Sequence, residues 1–387
     1  MSIINTKPVN HLDQYMFFGE DLGIARFESQ KHSVFESLTE KQLSFFWRPE
    51  EIDLSMDRIQ YANMPEHQKK IFDSNLQYQT LLDSVQGRAP TVAFLGIVSD
   101  VSLENWITTW AFSETIHSRS YTHIQRNLHI DPSSQFDAIV ENEAIMKRSK
   151  SITEYYDRLI EESHHLKALE MENESDPYTD LTDAITKQRR KCKIALYLCM
   201  HAVNALEAIR FYVSFSFTFN FAEMGIMEGN AKIMRLIARD EALHMKGTQS
   251  IIRLMQMSKD DPEMAEIAYQ YEEEASKIFM DAVDQEIEWA RHLFDIGDVD
   301  NLSLNSMTKY IHHLADVRMR AVGLNSPYGI TPTPYPWMKK HLNSENVQVA
   351  PQESEISSYL VGQIDANISD TAYENWRNEF MPSGKQV

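Results

Sequence analysis

Apolar residues recur every three or four positions along most of the chain, from about Phe35 to Leu324. This spacing places them on one face of an α-helix, and it repeats in segment after segment. The 387 residues include only 12 glycines, so few positions interrupt the helical pattern. The pattern predicts an all-α protein, with helix boundaries near five prolines: Pro49, Pro65, Pro90, Pro132 and Pro177.

One segment fits two patterns. Phenylalanine alternates with other residues over Phe211–Phe221, as in a β-strand, yet the segment continues the helical pattern of the preceding ALEAIR. We predict a helix that is distorted there.

The chain contains neither GxGxxG nor GxxxxGK[ST], so the sequence offers no loop that would hold a nucleotide phosphate.

The two ends differ in composition from the helical region. Residues 1–30 are predicted to form an irregular arm, and residues 326–337 a proline-rich loop. After Leu342 the chain is polar and acidic, which is typical of a flexible tail that orders on a partner. A frayed terminus without function is the alternative, but the apolar cluster that begins at Tyr359 favours a binding role. We therefore predict a helical domain over 1–342 and a tail over 343–387.

Charge and cysteine content restrict the function classes. A net charge of −20 disfavours binding to nucleic acid or to anionic membrane surfaces. The N-terminus lacks a secretory signal, and apolar segments such as 89–98 and 211–222 are too short or too polar to cross a bilayer. Cys192 and Cys199 form no CxxC motif, so we expect reduced thiols in a core. The sequence predicts a soluble, cytoplasmic protein.

The motif Glu-x-x-His, which puts a carboxylate and an imidazole on the same helix face where both can bind one metal ion, occurs four times. Two copies overlap in the charged stretch around residues 161–165, where a solvated helix face explains them. The other two lie on narrow stripes that are otherwise apolar or aromatic. These stripes are Trp106, Trp110, Glu114, His117, Tyr121 and Ile124, and Ile233, Ile237, Glu241, His244, Thr248 and Ile252.

Each of these two motifs has a lone acid upstream on an apolar stripe. Asp83 lies 31 residues before Glu114, and Glu207 lies 34 residues before Glu241. Two helices with one carboxylate each and two with Glu-x-x-His make up the ligand set of di-iron carboxylate bundles, although the first carboxylate here is Asp. We predict a dinuclear metal site, with these ligands: Asp83, Glu114, His117, Glu207, Glu241 and His244.

A buried salt-bridge network that joins four helices is the structural alternative. It is disfavoured because the two histidines are the only basic residues that accompany the four acids on these stripes. Four carboxylates balance the charge of two divalent ions, and oxygen and nitrogen ligands suit iron or manganese.

Several long segments carry a specific resemblance. They include LSFFWRPEE, YQTLLDSVQGR, WAFSETIHSRSYTHI, NALEAIRFYVSF, EGNAKIMRLIARDEALH and NVQVAPQESEISSYLVGQID. Over nearly its whole length, the chain resembles the small (β) subunit of aerobic class Ia ribonucleotide reductase, of the enterobacterial and T-even phage type. The resemblance implies a ferritin-like helical bundle with extra helices, two iron ions per chain in an oxo-bridged pair, and a homodimer that works with a large subunit.

The resemblance also implies a radical function. In the family, Tyr121 loses an electron and a proton when the ferrous pair reacts with O2, which leaves a stable tyrosyl radical. Phe211, Phe215 and Ile237 match the apolar wall around that radical. Asp240 corresponds to the partner of the ligand His117.

Radical transfer to the large subunit, where ribonucleotides are reduced, is implied to run through Trp47 and Tyr359. Glu353 matches a helper of Tyr359 on the tail. The last residues depart from the family pattern, so the residues that anchor the tail stay open, with Trp376 and Phe380 as candidates.

Other classes of di-iron protein remain as alternatives. A ferritin-like storage protein or ferroxidase would have a shorter bundle, no tyrosine beside the metals and no need for Tyr359. A desaturase or hydroxylase would need an apolar channel to the metals and would leave the tail unexplained. A relative that uses manganese or a mixed metal pair is a further alternative.

Overall fold

The computed structural model describes residues 4–7, 9–176, 178, 180–329 and 332–343. Within them the regular elements are helices, and the prediction of an all-α protein is confirmed. The α-helices are α1 (Ser33–Leu43), α2 (Ser55–Asn63), α3 (Glu66–Gln86), α4 (Ala89–Phe94), α5 (Val101–Leu128), α6 (Pro132–Glu141), α7 (Glu143–Ser175), α8 (Thr182–Ala205), α9 (Phe211–Glu223), α10 (Glu228–Met255), α11 (Pro262–Gln270), α12 (Glu272–Ile296), α13 (Leu304–Ala321) and α14 (Met338–Leu342).

The predicted proline boundaries are the starts of helices. Pro65 is the N-cap residue of α3, and Pro90 and Pro132 lie in the first turns of α4 and α6. Pro49 opens a short 3-10 helix, Pro49–Glu51. Proline suits these positions because its missing N–H would have no helical partner in the first turn. Pro177 lies outside the described residues.

Four long helical segments form the centre of the fold. Helix α3 packs against α5 and α9, and α10 packs against α5, α8 and α9. Helix α1 covers α5 and α10, α7 lies along α8, and α12 and α13 pack together on the segment between α8 and α9. The central helices bury their inward faces against one another, and the other helices pack around them.

A π-helix joins α8 to α9. It covers Leu206–Arg210, and all five of its residues are buried. Phe211–Glu223 is helical as predicted, but the distortion lies in the π turn just before it rather than inside it. Arg318 of α13 donates from Nε to the Ala208 carbonyl at 3.3 Å, so a neighbouring helix satisfies a backbone group of the widened turn.

The continuous helix 182–223 passes the length and hydropathy test for a membrane span. Of the residues in its most apolar 18-residue window, 94% are buried inside the fold. This burial is typical of the central helix of a soluble core.

The N-terminal segment before α1 contains one described helical turn, His11–Asp13, and a single antiparallel bridge between Phe17 and Val98. The buried carboxylate of Asp260, just beyond α10, fixes this segment. It accepts hydrogen bonds from the Met16 backbone at 3.3 Å and from Lys31 Nζ at 2.7 Å. The arm is therefore attached to the end of a central helix.

Helix α8 buries two cysteines and a histidine. Cys192 and Cys199 are free and buried, as the sequence predicted. His201 is fully buried between Tyr197 and Phe279, with ring centroids at 4.6 and 6.0 Å, and neither ring nitrogen has a hydrogen-bond partner within the described residues. Burial lowers the pKa of His201 to about 3, so the folded protein holds this imidazole neutral.

This histidine makes folding stability depend on pH. The unfolded chain takes up a proton near the ordinary pKa of about 6.5, whereas the folded chain does not until about pH 3. The unfolding free energy should therefore fall by about 1.4 kcal/mol per pH unit below pH 6.5, through this residue alone. In His201→Leu that part should vanish, while the exposed-histidine control His164→Gln should follow the wild type. Urea unfolding at pH 7.5, 6 and 5 measures this, and parallel profiles for all three proteins would contradict the assignment.

Candidate metal centre

The six predicted ligands meet in the centre of the bundle. Asp83 comes from α3, Glu114 and His117 from α5, Glu207 from the π-helix, and Glu241 and His244 from α10. All six side chains are completely buried. The two Glu-x-x-His stripes and the two lone acids are thus brought together, as their positions on apolar helix faces predicted.

The ligand atoms fall into two overlapping groups, each with its atoms within 4.8 Å of one another. We call them the first subsite (Asp83, Glu114, His117, Glu241) and the second subsite (Glu114, Glu207, Glu241, His244). Glu114 and Glu241 belong to both, so they lie where two metal ions would share ligands. This is the arrangement of a dinuclear carboxylate centre.

Both imidazoles point Nδ1 at the two shared carboxylates. His117 Nδ1 lies 3.2 Å from Glu114 Oε2 and 3.1 Å from Glu241 Oε1. His244 Nδ1 lies 3.0 Å from Glu114 Oε1 and 3.3 Å from Glu241 Oε2. Each histidine therefore turns one nitrogen into the cluster and leaves Nε2 for an outer partner.

The outer nitrogen of His117 faces a carboxylate. Asp240 Oδ2 lies 3.1 Å from His117 Nε2 and accepts a hydrogen bond from Trp47 Nε1 at 2.9 Å. The rings of Trp47 and His117 are 6.4 Å apart, and Trp47 is completely buried. The structure thus joins Trp47, Asp240 and His117 in one hydrogen-bonded row, in which Asp240 contacts His117 as the resemblance implies.

Arg239 fixes the segment that carries this tryptophan. Its Nη2 donates to the Phe45 carbonyl at 2.9 Å, and its guanidinium lies 4.0 Å from the centre of the Phe45 ring. Because Phe45 is two residues before Trp47, these contacts hold the Trp47 side of the row against α10.

The buried carboxylates of the centre carry more negative charge than the neighbouring basic side chains neutralise. Burial, and then the charge of Glu114, raise the pKa of Asp83 well above its usual range; burial and Glu241 do the same for Glu207. Against the effect of burial, Glu241 and Glu114 raise the pKa of His244 to about 9. A bare site therefore has to hold protons, whereas divalent cations would compensate the same charges directly.

Several acid oxygens have no protein hydrogen bond. Both carboxylate oxygens of Asp83 and Oε2 of Glu207 are buried without a donor among the described residues. The ion pairs that Glu114 and Glu241 make are with His117 and His244. Unsatisfied buried carboxylate oxygens beside inward-pointing imidazoles fit metal ligands far better than a salt-bridge network. The residues present therefore fit a pair of divalent ions.

Tyr121 lies one turn after His117 on α5 and is completely buried. Its hydroxyl makes no hydrogen bond to the described part of the chain. Burial, and then the charge of Asp83, raise the pKa of Tyr121 well above its ordinary value, so the phenol is protonated at neutral pH.

The three residues predicted for the apolar wall are also completely buried: Phe211, Phe215 and Ile237. The rings of Phe211 and Phe215 stack at 5.8 Å. Ile237 precedes Glu241 by one turn on α10. These residues belong to the same buried core as the ligands.

The sequence reasoning missed three side chains around the ligands. Ser113 lies within hydrogen-bond distance of the outer nitrogen of His244, and Gln86 donates a hydrogen bond to Glu207. Tyr156 of α7 contacts no ligand itself but donates a hydrogen bond to Gln86. Gln86 follows Asp83 by three residues, so a search for polar residues on the Asp83 face would have found it. Tyr156 lies outside the four ligand helices, and no pattern pointed to it.

The two overlapping Glu-x-x-His copies of the charged stretch lie on α7, outside the four ligand helices. Glu161, His164 and His165 are exposed, and Glu162 accepts a hydrogen bond from Gln188 at 2.6 Å. Their interpretation as a solvated helix face agrees with this position. The predicted tail residues lie outside the described residues: Glu353, Tyr359, Trp376 and Phe380.

Comparison with known proteins gives one consistent result. The model of the family "Ribonucleotide reductase, small chain" matches residues 26–336. The chain is 53% identical to the ribonucleoside-diphosphate reductase subunit beta of Enterobacteria phage T4, over 98% of this chain and 100% of that protein. It is 52% identical to the ribonucleoside-diphosphate reductase 1 subunit beta of Escherichia coli O157:H7, over 95% and 97% of the two chains.

Solved structures agree on the fold. The ribonucleotide reductase R2 subunit of Clostridium botulinum superposes with a TM-score of 0.72 at 23% identity, covering 88% of this chain and 98% of that one. A dimanganese(II) NrdF of Streptococcus sanguinis gives 0.63 at 18% identity, covering 82% and 99%. The predicted ferritin-like helical fold is confirmed. The chain belongs to the small-chain family of class I ribonucleotide reductase, an oxidoreductase.

Proposed function

We propose that this chain generates and holds the radical that a ribonucleoside-diphosphate reductase uses, as a cytoplasmic homodimer that works with the large subunit. Two iron ions would be bound by the six buried ligands of the two subsites. When bound, the iron pair supplies the reaction with O2 that removes one electron from a neighbouring side chain. The observation that carries the proposal is the convergence of six completely buried ligands next to the buried phenol of Tyr121.

Tyr121 is the side chain that gives up the electron. Its hydroxyl is protonated, so oxidation to a neutral radical releases a proton that must go to a nearby base. Asp83 is suited to accept it, because its charge acts on the phenol more strongly than those of Glu241 and Glu114, and its oxygens have no hydrogen-bond donor among the described residues. Phe211 and Phe215 offer no readily oxidised group and help keep water and reductants away.

Trp47 is proposed to pass electrons between this centre and the partner subunit. It lies in a row with Asp240 and His117, at hydrogen-bond distances of 2.9 and 3.1 Å. Asp240 also fixes the tautomer of His117, because a carboxylate at Nε2 keeps the proton there and leaves Nδ1 as the ligand atom. One carboxylate thereby links the metal ligand to the indole.

The large subunit carries out the reduction of the ribonucleotide in this proposal. The family is the small subunit that works with the large one, and the tail beyond Leu342 would supply the contact. Tyr359 would relay the radical with the help of Glu353, and Trp376 and Phe380 are candidate anchors. The small chain itself would then need no nucleotide site, in agreement with its lack of phosphate-binding motifs.

An apolar surface supports the homodimer. Phe46 and Phe112 stack at 6.3 Å, although 43% and 47% of their surfaces are exposed, and Leu43 nearby on α1 is 60% exposed. Leu43 ends α1 and Phe112 lies on α5, and these two helices pack closely together, while Phe46 follows α1 by three residues. Exposed apolar side chains grouped in this way are typical of a buried contact between protein chains.

Iron is proposed over manganese, although oxygen and nitrogen ligands suit both. The similar Streptococcus sanguinis protein is described as a dimanganese(II) form, so the metal has to be measured. Either metal would be bound by the same six side chains.

One reconstitution experiment tests the whole proposal. Metal-free protein is loaded with Fe(II) without oxygen, then oxygenated, and examined by electron paramagnetic resonance (EPR), metal analysis and sedimentation. We expect two irons per chain, a tyrosyl signal and the mass of two chains. Two irons without a radical would contradict the radical function and favour a ferroxidase. A tyrosyl signal that appears only after loading with manganese would show that the metal is manganese and not iron.

A further inference from the structure

We infer that Gln86, Tyr156 and Ser113 are positioning residues that preorganise the second subsite, whose own ligands are Glu207 and His244. The inference rests on the proposed metal centre and goes beyond it. It assigns a function to three buried polar side chains that bind no metal themselves. Each acts through a hydrogen bond to a ligand or to another positioning residue.

Ser113 fixes the tautomer of His244. Its hydroxyl donates to the Trp110 carbonyl at 2.8 Å, and it lies 2.8 Å from His244 Nε2. Because the hydroxyl has one proton, which goes to the carbonyl, the oxygen must accept from Nε2–H. The Nδ1 lone pair of His244 is therefore free to point into the subsite.

Gln86 fixes the carboxylate of Glu207. The Tyr156 hydroxyl donates to Gln86 Oε1 at 2.9 Å, which orients the amide so that its NH2 group points to Glu207. There Nε2 donates to Glu207 Oε1, while Glu207 Oε2 has no donor among the described residues. One carboxylate oxygen is thus held by the protein and the other is left for a metal ion.

The first subsite is built differently. His117 is held by the carboxylate of Asp240 at 3.1 Å, but both oxygens of Asp83 lack a hydrogen-bond partner in the described chain. At the second subsite, both of the ligands that it does not share are fixed by neutral groups. A carboxylate with one held oxygen and an imidazole with a fixed tautomer lose less freedom when a metal ion binds.

This difference predicts a selective loss of affinity. Outer partners of metal ligands typically change metal affinity by about 10–100-fold. Gln86→Leu and Ser113→Ala should each weaken one of the two metal equivalents by about this factor and leave the other nearly unchanged. Tyr156→Phe removes only the group that orients Gln86, so it should act on the same equivalent with a smaller effect.

The experiment is a Mn(II) titration of metal-free protein followed by EPR, which detects the free aqueous ion. Matched controls are Gln79→Leu, another fully buried glutamine of α3, and Ser120→Ala, another fully buried serine of α5. Gln79 lies 3.5 Å from Thr218, and Ser120 donates to its own helix at 2.8 Å. Both controls should bind two Mn(II) as the wild type does.

A structural defect is separated from a positioning effect by Ser113→Thr. It keeps the hydroxyl and should restore the affinity that Ser113→Ala loses, with circular dichroism unchanged throughout. Wild-type affinity at both equivalents in Gln86→Leu and Ser113→Ala, or equal loss at both, would overturn the inference. A wild type that does not bind two Mn(II) ions would instead count against the proposed metal centre.

Discussion

Tyr121→Phe, loaded with Fe(II) and oxygenated, should bind the same two irons as the wild type and show no stable tyrosyl EPR signal. The substitution removes one oxygen atom from a fully buried ring, and that hydroxyl makes no hydrogen bond to the described chain. Packing and metal ligands should therefore be almost unaffected. Turnover with the large subunit should fall to background, because the group that stores the oxidising equivalent is gone.

The matched control is Tyr197→Phe. Tyr197 is also a completely buried tyrosine, but it lies on α8 against His201. This variant should keep both the signal and the turnover. A stable tyrosyl signal of wild-type size in Tyr121→Phe would mean that another tyrosine holds the radical, and normal turnover without a signal would separate catalysis from the radical altogether.

The ligand set could be predicted from the sequence because charged residues stand out on a helix face that is otherwise apolar. Glu114 and His117 lie between Trp110 and Tyr121 on a stripe with no other charge, and a charged pair in such a place needs compensation. Helical periodicity then fixed which side chains share a face. The structure places the whole stripe in the core, with each of these residues fully buried.

The outer contacts could not be predicted in the same way. Ser113 precedes Glu114 and meets a histidine on another helix, 131 residues later in the chain. Tyr156 reaches Gln86 from α7, across 70 residues. A contact of this kind depends on how two helices rotate against each other, and the hydrophobic pattern of either helix does not determine that rotation to within a side chain.

The π turn shows the same limit within one helix. An added residue in the turn Leu206–Arg210 leaves the apolar pattern on both sides intact, so the sequence signals only that something is irregular nearby. Its position is fixed by buried partners. Arg210 donates to Glu286 at 3.1 Å, and Arg318 donates to the Ala208 carbonyl at 3.3 Å. Glu207 owes its direction to these tertiary contacts as much as to its own place in the sequence.

Deletion of the residues after Leu342 should leave the iron content and the tyrosyl signal of the protein unchanged and abolish turnover with the large subunit. The described ligands, Tyr121 and the row that contains Trp47 all precede this point, so radical formation needs nothing beyond it. Transfer to the partner, in contrast, would lose both its docking segment and Tyr359. EPR, metal analysis and turnover on one sample measure the three quantities.

Tyr359→Phe separates docking from relay. The phenyl ring keeps the apolar contact, so the variant should still compete with the wild type for the large subunit, yet it should support no turnover, since phenylalanine cannot be oxidised at a comparable potential. Tyr373→Phe, a second tyrosine of the tail, is the matched control and should behave as the wild type. If the deletion still supports turnover, neither docking nor relay belongs to the tail. If it does not, but Tyr359→Phe remains active, the tail only docks, and the radical must leave through residues near Trp47.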